Sequence, residues 1–294
     1  MERELFTLIR RTLRTLGKRR RNRRFAYTDA AIVEVYCWAV INDRPVVWAC
    51  DPRHWPKGLR RGGLPSQSVV SRRLRSGAVR KLLGRLEHRV CRRFRVPTLA
   101  YAIDGKPMPI SGHSMDKQAG YGRAAGGKAK GYKLHALIDL SGTVWAWRIA
   151  PMNADERNVG PLLLPAVPAG GYLLADRNYD SNTFFSAASE HNLQAVIPRR
   201  YGADKGMGHR RQDPARLRCR DLLENTISGF GRELHRQRKR IEYFFGRLSS
   251  GAGSLTCLPS WVRTQRRVEQ WVAVKLIICQ IKADWRADTG KIGA

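Results

Sequence analysis

Between residues 99 and 198 the sequence changes hydrophobic period again and again, and this alternation restricts the fold more than any other feature of the chain. "TLAYAID" reads as a strand ending at Asp104. "GYKLHALIDLSGTVWAWRIAP" alternates apolar and polar positions around Ser141-Gly142, which predicts a hairpin. "DERNVGPLLLPAV" reads as a helix opened by Asp155, "GYLLAD" as a strand, "SNTFFSAASEHN" as a helix capped by Asp180 or Ser181, and "LQAVIP" as a strand. Crossover helices between single strands imply an α/β fold with a mixed, partly parallel sheet flanked by helices. Residues 199–232 are basic and poorly periodic, so mostly loop is expected. "RELHRQRKRIEYFFGRL" predicts one long helix with Leu234, Ile241, Phe245 and Leu248 on its buried stripe, and "VRTQRRVEQWVAVKLIICQIKADW" a last helix.

Ahead of residue 98 the pattern is helical and strongly basic, with 25 Lys and Arg against 7 Asp and Glu. The expected division is therefore a small all-α domain over 1–98 and an α/β domain over 99–285. "GKRRRNRR", from Gly17 to Arg24, is either a solvated link or a clamp on a phosphate backbone. "TDAAIVEVYCWAVI" is an apolar helix with Thr28 as its N-cap. Near 65–90, Ser66 or Ser68 opens a helix with Val69, Val70 and Leu74 on one side and Arg72, Arg73 and Arg75 on the other, and a second helix follows Gly77. This pattern suits a helix-turn-helix entering a major groove; a basic helix on a helical bundle gives it equally.

The chain as a whole carries a formal net charge of +31, and such a field opposes folding unless a polyanion offsets it. Nucleic acid is the partner this charge suggests, and the excess of Arg over Lys suits phosphate and guanine edges. The six cysteines are scattered without a C-x-x-C pair, which argues against a zinc site and for small buried hydrophobes in a reducing compartment. The two most apolar runs are short and each contains a charge, so no membrane span and a cytoplasmic location are expected.

Within this basic chain three acids stand out. Asp104 and Asp176 end strand candidates, and Glu242 lies beside the apolar stripe of the long helix. Sites in open α/β sheets gather outside the carboxyl ends of strands. Carboxylates gathered there suit Mg²⁺, a hard cation that prefers oxygen ligands, and two such ions can drive in-line phosphodiester cleavage while basic surroundings hold the DNA. Each acid also has a plainer reading. Asp104 before Gly105 is a turn residue, Asp176 an ion-pair partner of Arg177 or of another of the many arginines, and Glu242 an i,i+4 partner of Arg238.

Four stretches together resemble the DDE-type insertion-sequence transposases of the ribonuclease H/retroviral-integrase superfamily: "AIDGKPMPIS", "KGYKLHALIDLSGTVWAWRIAPMNADERNVGPLL", "LLADRNYDS" and "RKRIEYFFGRL". The resemblance implies a ribonuclease H-like catalytic domain in which Asp104, Asp176 and Glu242 bind two Mg²⁺ or Mn²⁺ ions. It implies an enzyme that cuts the ends of its element and transfers 3′-hydroxyl strands to target DNA. Double-stranded DNA, as terminal inverted repeats and target, would be the partner, and a homodimer or larger assembly the working form. Arg238 and Glu242 fit the helix pattern of relatives that pass through a DNA hairpin; His235 stands where those carry Tyr, and Ser249, with Arg247 nearby, where they carry Lys. His235 would then stack on a base and Arg247 meet a phosphate. Lys133 and His135 share one strand face and are candidates to line the DNA cleft, or else a surface lysine and a core histidine. The rival functions are a catalytically inactive, domesticated DNA-binding repressor and a ribonuclease H-like nuclease.

Overall fold

The computed structural model describes residues 1–16, 26–59, 63–91, 95–111, 114–201, 211–224, 227–250 and 253–290; the basic run from Gly17 to Arg24 lies outside them. The chain forms two compact units, one of residues 1–93, 250–255 and 266–294, the other of residues 94–249 and 256–265.

The first unit begins with five helices: α1 (Glu2–Leu16), α2 (Asp29–Ile41), α3 (Val46–Ala49), α4 (Gln67–Arg73) and α5 (Gly77–Cys91). Thr28 caps α2 by accepting from the Ala31 amide at 3.1 Å. The helix is buried from Ile32 to Val40, including Glu34, whose carboxylate takes a 3.2 Å bond from Arg10. Ser66 caps α4, as its sequence suggests. Arg73 departs from the expected polar face. It is buried, and its guanidinium donates to the Tyr27 carbonyl and the Asp29 carboxylate, so it ties α4 to the start of α2. Arg72 and Arg75 remain exposed.

The second unit is built on a six-stranded mixed sheet: β1 (Ala100–Pro109), β2 (Gly120–Ala124), β3 (Gly127–Asp139), β4 (Val144–Pro151), β5 (Tyr172–Leu174) and β6 (Gln194–Val196). β3 runs antiparallel to β1, β2 and β4; β5 is parallel to β1, and β6 to β5. The β3–β4 hairpin turns where its sequence predicts. Buried Asp139 closes it by accepting from the Ser141 and Thr143 amides and from Trp145 Nε1 at 2.9–3.0 Å. β1 runs on past Asp104, so this acid does not end a strand. It sits just beyond the short parallel pairing that ends at Ala102 and Leu174.

Asp155 caps α6 (Glu156–Val159), and the helix tightens at once into a 3₁₀ segment, Gly160–Ala166, containing Pro161 and Pro165, which lack the N–H an α-helix needs. Ser181, and not Asp180, caps α7 (Asn182–Glu190). Asp180 instead accepts both arms of the Arg216 guanidinium, at 2.7 and 2.9 Å.

Two expectations fail here. The stretch read as loop contains α8 (Pro214–Glu224), opened by Asp213 accepting from the Ala215 amide at 2.8 Å and packed on the core through Ala215 and Cys219. The long helix is two, α9 (Phe230–Arg236) and α10 (Lys239–Ser249), broken where Gln237, Arg238, Arg240 and Ile241 each donate to the carbonyl three residues back.

A sheet of this order flanked by helices is compatible with a ribonuclease H-like fold. Its core gathers Tyr101, Ile103, Leu137, Trp145, Leu164, Phe184 and Phe185. The closing helix, α11 (Gln265–Gly290), has most of its length in the first unit, whereas the sequence placed it with the α/β domain. There Gln270 donates to the Leu74 carbonyl at 2.6 Å, and Lys275, 2% exposed, to Asp43 at 2.6 Å. Among the described residues no helix is long and apolar enough to cross a membrane.

Candidate active site

Asp104 faces Ala136 of β3. Its side chain is 20% exposed, and it accepts from the Gly105 amide at 2.7 Å and from Arg238 at 3.2 Å. Burial pushes its carboxyl up to about 7, with the neighbouring acids Asp176 and Glu156 adding to the shift against the Gly105 amide and Arg238. Asp176 lies two residues beyond β5, where its carboxylate caps a 3₁₀ turn, accepting from the Asn178 amide at 2.9 Å and the Asn178 side chain at 3.0 Å. Glu242, on the first turn of α10 and 54% exposed, accepts from the other arm of the Arg238 guanidinium.

The structure thus links Asp104 and Glu242 through one arginine and sets Asp176 within the electrostatic reach of Asp104. It does not close the acids into a cage: among the described residues no three His, Cys, Asp or Glu side chains already form a group that could hold a metal ion. The helix break fixes this arrangement, because Arg238 sits in the turn between α9 and α10.

The other candidates divide sharply. His235 is half-buried, donates from Nε2 to the Ala175 carbonyl at 3.0 Å, and has its pKa lowered chiefly by burial. It therefore stands one residue from Asp176. Lys133 reaches Glu156 at 2.8 Å, and a side chain at Gly105 would collide with both partners, so this ion pair lies against β1 beside Asp104. His135 is fully buried, and among the described residues neither ring nitrogen is hydrogen-bonded; burial holds its pKa down to about 4, and it is a core residue that does not line a cleft. The guanidinium of Arg247 lies against the β3–β4 turn at Gly142.

Glu156 was missed in the sequence. Beside the N-cap Asp155 it reads as an ordinary first-turn acid. Only the fold brings it to Asp104 and to Tyr179, which is fully buried, has no partner for its hydroxyl among the described residues, and has its pKa raised by burial and then by Glu156, Asp104 and Asp176.

Residues 97–279 match the family described as "Transposase DDE domain". The chain belongs to this DDE transposase family. The match spans β1 to most of α11, so the family domain crosses the boundary between the two compact units. A similar protein is the "Transposase for insertion sequence element IS1106" of Neisseria meningitidis serogroup B, 36% identical over 98 residues. That alignment covers 33% of this DDE-family chain and 33% of the relative's own length.

Proposed function

We propose that the protein is a DNA transposase of an insertion sequence, which cuts element ends and transfers 3′-hydroxyl strands to target DNA by metal-dependent phosphoryl transfer. Membership of the DDE family supports the reaction class. The observation that supports the assignment of residues is the Arg238 guanidinium shared between Asp104 and Glu242, with Asp176 and Glu156 close enough to Asp104 to add to the rise of its carboxyl. A partly buried site with excess negative charge and oxygen donors fits a hard divalent cation. Asp104, Asp176 and Glu242 would hold Mg²⁺ or Mn²⁺. When bound, a pair of such ions supplies Lewis-acid activation of the attacking oxygen and stabilisation of the leaving one.

The chain's own groups do the rest. Arg238 offsets the charges of Asp104 and Glu242, and with those acids engaged elsewhere its guanidinium would be free to meet a phosphate. His235, tied to the Ala175 carbonyl, holds the loop that carries Asp176 against α9. The Lys133–Glu156 pair fixes the floor beside Asp104. Phosphates are bound by the surrounding basic surface, with Arg72 and Arg75 of the first unit as further contacts. Two element ends must be joined together, so a homodimer or larger assembly on DNA is part of the proposal.

Metal-dependent nicking of a supercoiled plasmid carrying the element ends tests this reading. Nicking with Mg²⁺ and none with EDTA is expected. Binding of the ends without any cleavage would favour a repressor, and preference for RNA a nuclease of another kind.

A further inference from the structure

β2 and the first part of β3 form a short ribbon closed by the turn at Ala125-Gly126. Its register pairs Tyr121 with Lys130 and Arg123 with Lys128, and residues directly opposite one another share a face. One face therefore carries Tyr121, Arg123, Lys128 and Lys130. The other carries only Gly120, Gly122, Ala124, Gly127, Ala129 and Gly131.

The bare face is in use. A side-chain carbon on Gly122 would sit 2.6 Å from the Met152 carbonyl oxygen, one on Gly120 would run into Asn153, and one on Gly131 into Met152 and the Met108 carbonyl. Glycine lets the ribbon lie flat on the turn after β4, with its basic face outward. Tyr121 is 58% exposed, and the ammonium groups of Lys128 and Lys130 each stand 6.0 Å from its ring centre. Lys130 also donates to the Ser114 carbonyl at 2.9 Å. Lys130 also has Asp116 nearby, whose carboxyl it helps to lower, whereas among the described residues Arg123 and Lys128 form no ion pair with an acid. Like charges set directly opposite each other, as Arg123 and Lys128 are, destabilise a ribbon in isolation.

We infer that this face of the ribbon is a docking surface for the phosphate backbone of duplex DNA. Two exposed cations, Arg123 and Lys128, on the same face as an exposed aromatic ring suit a polyanion, and with its other face pressed on the protein the ribbon contacts a backbone rather than entering a groove edge-on. Its placement suits the task. Lys130 lies on the strand that pairs with β1 at Asp104, six residues before Ala136, about 20 Å along the strand. A duplex lying over the acids would meet the ribbon about half a helical turn away. The inference rests on the proposed action on DNA, and it adds a contact that lies outside the acids and their arginine.

The test is equilibrium binding of the full chain to a labelled linear duplex over a range of salt concentrations, by fluorescence anisotropy. Each lost phosphate contact reduces the slope of log K against log salt by about 0.9, so the pair Arg123→Gln and Lys128→Gln should flatten it by about 2. The exchange Arg123→Lys with Lys128→Arg should keep the wild-type slope. A flattening of less than about 1 in the Gln pair overturns the inference, as does equal flattening in the charge-conserving exchange. If the wild-type protein shows no salt-dependent binding, the DNA-acting reading falls with it; if the wild type binds steeply and the Gln pair binds just as steeply, the ribbon alone is at fault.

Discussion

Arg238 lies 3.2 Å from the carboxylate of Asp104 and also pairs with Glu242, so one guanidinium joins residues 134 and 4 positions away in the chain. In the metal-free protein it is the counter-ion of the candidate site. Arg238→Gln should lower thermal stability in EDTA by about 1–2 kcal/mol, a value reduced for the exposure of Glu242. Mg²⁺ should then raise the midpoint of the variant more than that of the wild type, because the cation replaces the missing charge. Equal midpoints in EDTA would show that the arginine has no such role.

Asp104 makes stability depend on pH with a definite sign. Its folded carboxyl titrates at about 7, above the ordinary value of about 4 in an unfolded chain. The fold therefore favours the protonated acid; this contribution is complete below pH 4 and is lost as pH rises through 7. In EDTA, Asp104→Asn should match the wild type near pH 4 and exceed it at pH 8 by an amount of order 2 kcal/mol. Thermal unfolding across that range checks this, and a difference that does not vary with pH contradicts it.

The pair of Lys133 and Glu156 is nearly buried, at 16% and 12% side-chain exposure. Glu156→Gln alone should cost about 2–3 kcal/mol by leaving the lysine uncompensated, whereas Lys133→Met with Glu156→Leu should come within about 1 kcal/mol of the wild type. Denaturant unfolding of the single and double variants measures both; an additive double variant would mean the two side chains do not act as a pair.

Much of the fold was legible because its signals are local. The Ser141-Gly142 turn, the caps at Thr28, Ser66 and Asp155, and the apolar strands around 173 and 195 each follow from a few adjacent residues. What escaped depends on distance or on weak periods. The Asp213-Pro214 start of α8 was hidden in a basic stretch although it is a sound helix opening. The break at Arg238 leaves the helical spacing of Leu234, Ile241 and Phe245 intact, so no periodicity betrays it. β2 was missed because three of its five positions are glycine or alanine, residues poor in strands when read alone. Within the candidate site, the acids stood out by type and position. The inward turn of Arg73, the burial of His135 and the arrival of Glu156 at Asp104 come only from packing.

The central claim is that Asp104, Asp176 and Glu242 act together on a DNA phosphodiester. Asp176 tests it most cleanly, because among the described residues its side chain is bonded only within its own turn, to Asn178. The measurement is Mg²⁺-dependent cleavage of end-bearing DNA by Asp176→Asn, with duplex binding measured on the same preparation. Cleavage should fall at least about 10³-fold with binding near that of the wild type. A variant that binds and still cuts at the wild-type rate would contradict it.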